Sequence, residues 1–199
     1  MMDTHNLPKM VYSYKEGWQD LIQVHPSVSR LFAIYVVPMS LIPPVMFLYA
    51  MMVTPGAIFP ALVPQITAFE AISIAVAFFL VELAMVALMA SIIQQMGDVV
   101  EVKPAYQDAF LLAAVAPTPL WLATLALFIP SVWVNGVVVA AAWVASAALI
   151  YHGVAPLFKL EDRSKIRLMG TFILMAGIIA WMALLVVLVL LLSMILGFR

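Results

Sequence analysis

Cysteine is missing from the 199 residues. That removes disulfides, iron–sulfur clusters, thiolate metal sites and thiol nucleophiles together. Charge is also scarce, at 10% of residues, where a soluble domain carries about a quarter. A formal net charge of −1 gives no basic stripe of the kind that binds nucleic acid. Only three histidines occur, His5, His25 and His152, and none is paired at i, i+4. Neither a zinc motif nor a two-histidine haem site is therefore supported, and a solvated surface role is the expectation for His25 and His152. There is no glycine-rich phosphate loop, nucleophile elbow or carboxylate pair with a supporting base. The expectation is a protein without enzymatic activity or cofactor.

What the sequence has is apolar mass. Hydrophobic residues reach 66% against about 45–50% in soluble domains, and mean hydropathy is +1.15. This mass falls in long blocks at about 31–53, 68–93, 109–129, 131–151 and 168–198. Each block supplies the ~20 residues that carry a helix across ~30 Å of hydrocarbon. None alternates with period two, and a lipid solvent demands that backbone groups be satisfied within the segment. The expected fold is all-α and polytopic: five transmembrane helices over 31–199, behind a tail at 1–30. Pro130, Ser131 and Asn135 mark a tight hairpin between the third and fourth spans. The fifth block is long enough to tilt or to project.

Basic residues set the orientation. Lys9, Lys15 and Arg30 precede the first span, Lys103 follows the second, and Lys159, Arg163, Lys165 and Arg167 follow the fourth. The 53–68 connection and the third-to-fourth hairpin have no Lys or Arg. The positive-inside rule puts the N-terminus in the cytoplasm and the C-terminus on the opposite side. The polar first thirty residues lack the short apolar core of a cleaved leader. Trp18, Leu21, Ile22 and His25 follow helical spacing up to Pro26. They predict a short interfacial helix with Trp18 as its headgroup anchor.

Prolines interrupt two spans: Pro38, Pro43 and Pro44 in the first, Pro117 and Pro119 in the third. Each removes a backbone donor, so a helix break is expected at Pro117, Thr118 and Pro119, packed against protein, with Thr118 helping to satisfy freed carbonyls. Small residues form stripes: Ser73, Ala77, Ala84, Ala87 and Ser91 on the second span, Ala141, Ala145 and Ala148 on the fourth, Ala176, Ala180 and Ala183 on the fifth. These stripes are the expected packing faces.

Glu82 is the one charged side chain deep within a span. Glu70, twelve residues earlier, reaches the interface. The 100° helical step places Glu82 opposite Ser73 and Ser91, on a face with Phe78, Phe79, Met85 and Met89. An ionised carboxylate at the bilayer centre costs about 2.5–3.5 kcal/mol on insertion scales. Three roles are open to it: a protonated carboxyl hydrogen-bonded in the bundle, a contact with another protein, or a proton relay. Lys159, Arg163, Lys165 and Arg167 are candidate contacts for anionic lipid headgroups, with Glu161 and Asp162 diluting their field.

The run from Trp18 through SRLFAIYVVPMSLIPPVMF resembles the opening of the bacterial Yip family of small integral membrane proteins. The resemblance continues through AFLLAAVAPTPLWLATLALFIPSVW and ALIYHGVAPLFKL. Its matching positions are Trp18, Tyr35, Pro38 and Pro43, then Thr118, Pro119, Trp121 and Pro130, then Tyr151, Gly153 and Lys159. The resemblance implies five helices with a cytoplasmic N-terminus, in a bacterial inner membrane, and supplies no enzyme activity. Eukaryotic relatives associate with Rab GTPases and membrane traffic; no functional residue transfers from them to this chain.

Two functional classes follow. One is a scaffold or accessory subunit that docks integral membrane proteins, self-associates or organises membrane lipids, as small-residue faces and scant extramembrane mass suggest. The other is a small transporter or channel using Glu82 as a proton-linked carboxylate. A polar face along two or more spans would favour transport, and the sequence offers only scattered Ser, Thr and Gln.

Overall fold

The computed structural model describes residues 18, 21–22, 26–56 and 66–197, with side chains through 194. Five membrane-length helical segments cover Val28–Met52, Ala68–Val99, Tyr106–Phe128, Val132–Phe158 and Arg163–Met194. No strand occurs among the described residues. The five-span, all-α expectation holds, and the second and fourth helices run several residues beyond their apolar blocks at the basic end.

The first span is assembled from pieces. Helix α1 (Val28–Leu31) passes into a π-helical stretch, Phe32–Val36, before α2 (Val37–Ser40) and α3 (Ile42–Met52). Pro38 explains the widening. Its ring has no N–H and crowds the carbonyl one turn back, so the chain before it bonds across a longer loop, with Val37 N–H donating to the Phe32 carbonyl.

The second span is one unbroken helix, α4 (Ala68–Val99). It starts with a reciprocal cap: Glu70 N–H donates to Thr67 Oγ1 at 3.3 Å, and Thr67 N–H donates to Glu70 Oε2 at 2.6 Å. Two orphan donors at the helix start are thereby satisfied, and Glu70 is held in the first turn of α4. The third span divides into α5 (Tyr106–Val115), α6 (Thr118–Ala123) and a 3₁₀ segment, Thr124–Phe128. A hairpin capped by Ser131 leads to α7 (Val132–Leu157), and α8 (Arg163–Gly197) closes the bundle.

Residues 109–116 are buried without interruption, so α5 is surrounded by protein from Ala109 onward. Around it gathers a core containing Leu31, Tyr35, Val86, Ile93, Leu149, Val154, Met169 and Ile173. A much smaller cluster, Phe47, Ile74 and Ala75 with Leu188, Leu191 and Leu192, lies toward the other end. Among the described residues the denser end is the basic end. Gln107 Nε2 donates to the Pro26 carbonyl at 2.9 Å, and Lys165 Nζ pairs with Glu101 Oε2 at 3.1 Å.

The small-residue stripes need correction. On α4 the buried face is Ala71, Ile74, Ala75, Phe78, Glu82, Val86, Ala90, Ile93 and Gly97, whereas Ser73 and Ala84 are exposed. On α7, Ala141 is exposed while Ala142 and Ser146 are buried; only Ala176 of the α8 stripe is buried. The small residues that α4 does bury, Ala71, Ala75, Ala90 and Gly97, lie on a different face from the expected stripe, and α5 adds Ala109, Ala113 and Ala114.

Candidate intramembrane site

Glu82 faces inward from the middle of α4 and is 4% exposed. The break in the third span places its neighbour. Helix α5 stops at Val115, Ala116 and Pro117 turn, and the Pro117 carbonyl accepts from Leu120 N–H and Trp121 N–H at 2.9 and 3.0 Å. This restart swings Trp121 inward, where its side chain comes within hydrogen-bonding reach of the Glu82 carboxyl. Glu82 Oε2 has no partner.

Thr118 behaves differently from expectation. Its Oγ1 lies 2.6 Å from the Tyr35 hydroxyl rather than on a freed backbone carbonyl. The break is thus tied across the bundle to the π-helical part of the first span. Pro117 and Pro119 are half-buried behind fully covered 113–116.

Below this break a half-enclosed cavity of about 1300 Å³ runs between the spans. Glu82, Ser146, Thr124, Asn135 and Thr54 are its polar side chains among the described residues; the remaining walls are apolar, with Trp121, Trp143 and Trp181 prominent. Trp143 and Trp181 meet edge to face, ring centroids 5.4 Å apart. Ser146 is 3% exposed and its hydroxyl has no partner. Sequence reading passed over it as a scattered serine. Its depth was the available signal: Glu82 and Ser146 each stand fourteen residues after the first residue of a helix, and α4 and α7 run in the same direction. Such a cavity can hold an apolar body and offers it two polar points. Among the described residues it brings together no catalytic set.

The basic cluster lies apart from this cavity. Arg163 and Arg167 share a shallow concavity of about 440 Å³ with Tyr151 and Ile166. Lys165 is committed to Glu101, and Lys159 sits exposed at the end of α7 with φ 53°. His152 Nδ1 lies 2.7 Å from the Ala148 carbonyl; His5 and His25 fall outside the described residues. Trp18, the expected anchor, is fully buried against protein. It covers Gly153, where an added Cβ would lie 2.6 Å from the indole ring. Of the expected interfacial helix only Trp18, Leu21 and Ile22 are described, as helical.

Trp18 against Gly153 and Tyr35 against Thr118 are contacts between residues far apart in sequence. All four belong to the pattern that suggested a relationship. The Yip1 domain matches residues 9–184. The chain belongs to the Yip1-domain family. No curated protein and no solved structure shows a match to it. For this Yip1-domain chain, the family pattern thus falls on contacts that join the tail, the first span, the broken third span and the fourth.

Proposed function

We propose that this Yip1-domain protein is a nonenzymatic scaffold or accessory subunit that holds another membrane component within the bilayer. The observation that carries the reading is the half-enclosed apolar cavity between the spans, which a self-sufficient bundle would fill with its own side chains. The fifth span adds support, since only 11% of its most apolar window is buried, leaving long faces for membrane proteins, a second copy or lipid. The basic ends of the spans are placed in the cytoplasm on the positive-inside rule, with the C-terminus opposite.

Transport is the second reading, and buried Glu82 is what favours it. A conduit needs successive polar stations, whereas the described polar side chains in the cavity are few. Purification in mild detergent with mass spectrometry tests the assignment. A reproducible stoichiometric membrane component is expected; solute or proton flux in liposomes containing this protein alone would overturn it.

A further inference from the structure

We propose that the cavity binds one neutral lipid bearing a free hydroxyl, with that hydroxyl held between Glu82 and Ser146 and the chain lying along the tryptophan-lined wall. The inference deepens the docking reading and rests on it only in that the occupant stays bound rather than passing through.

Two orphan groups define the polar end. Glu82 Oε2 and Ser146 Oγ are buried, without partners, and line the same cavity. A rise of 1.5 Å per residue places each about 21 Å from the start of its helix. Helices α4 and α7 start on the same side, and both groups line the one cavity. Buried polar atoms are normally paired, and an unpaired one marks a missing partner. Glu82 Oε2 can accept a hydrogen bond, and the serine can donate or accept. A hydroxyl complements both, since it donates to one and accepts from the other.

Charge and depth narrow the class. Among the described lining residues there is no Lys, Arg or His. A phosphate would therefore be desolvated beside an acid with no counter-ion, which rejects phospholipids. A diacylglycerol or long-chain alcohol carries no charge and can bring its hydroxyl to mid-bilayer depth.

Volume separates a lipid from a protein helix. A helix about 10–12 Å wide would fill this volume in about 14 Å of length, so a helix crossing ~30 Å would seat in the half-enclosed cavity only in part. A flexible chain fills the same space without crossing, and the apolar walls at Met85, Met89, Trp143 and Trp181 suit it.

The test uses the full-length protein in phosphatidylcholine nanodiscs doped separately with dioleoylglycerol, oleyl alcohol, oleylamine or trioleoylglycerol. Native mass spectrometry should retain one dioleoylglycerol or oleyl alcohol per chain, the two arms distinguishing a glyceride from a simple alcohol. Glu82→Leu with Ser146→Val should lower retention about tenfold, while Glu82→Gln keeps most of it, as expected for loss of one or two hydrogen bonds. A second readout needs no site variant. In the Trp133→Phe protein, which lacks the 86% exposed Trp133, brominated dioleoylglycerol should quench tryptophan fluorescence saturably, and brominated phosphatidylcholine should not. Equal retention of trioleoylglycerol, or preferential retention of oleylamine, overturns the proposal. So do crosslinks from Val139 into a second polypeptide in place of lipid. Flux without loss of retention would sink the docking assignment alone; absent retention in a protein that still copurifies with a partner would sink this inference alone.

Discussion

Gly153 shows how a single missing side chain organises the basic end. The indole of Trp18 occupies the space where a Cβ would stand, 2.6 Å from the ring, and Leu112 presses from the other side. Gly153→Ala should therefore displace Trp18 and destabilise the protein by about 1–3 kcal/mol, the usual cost of overpacking. Thermal unfolding in detergent measures this, and Trp18→Leu in the same chain should recover part of the loss. A second residue-scale expectation concerns Arg163 and Arg167. They flank one concavity with Tyr151, while Lys165 is occupied by Glu101. Replacing both arginines by Gln should cut retention of phosphatidylglycerol in native mass spectra, and Lys165→Gln should not. Charge clustering made all four basic residues equal candidates in the sequence. Their inequality comes from the turn at Glu101, φ 58°, which no charge count encodes.

At the scale of elements, the third span is the informative one. Pro117 and Pro119 announced its break, because a missing donor is a local property legible from one residue. The destination of Thr118 was not legible, since Tyr35 lies 83 positions earlier. The pairing can be tested by a double-mutant cycle between Tyr35→Phe and Thr118→Val. A coupling of about 0.6 kcal/mol, and no more than about 1.7, is expected, the average and maximum for interhelical hydrogen bonds in membranes; additive effects would leave the break untethered. The π-helical stretch Phe32–Val36 yields another prediction. Deleting Ala33 would shorten the first span by one residue and favour regular α geometry. Because a π turn holds one residue more than an α turn, Leu31 would still face the core it now enters. Helicity measured by circular dichroism should survive, while thermal stability falls because Pro38 then crowds the carbonyl one turn back.

For the whole molecule, span number and direction were readable because hydrocarbon thickness and backbone satisfaction leave few options. Packing faces were not, because the helix that supplies the small residues depends on which neighbours meet. Reporter fusions at Lys103 and Lys165 should agree with each other and oppose a fusion near Pro55. Disagreement between the two lysine sites would dismantle the five-span arrangement. The unequal core carries one more consequence. Among the described residues the larger cluster gathers around 109–116 at the basic end, and Phe47, Ile74 and Ala75 form a smaller one toward the other. Lateral pressure from lipid tails on the half-enclosed cavity would then be resisted at its basic end by that packed segment.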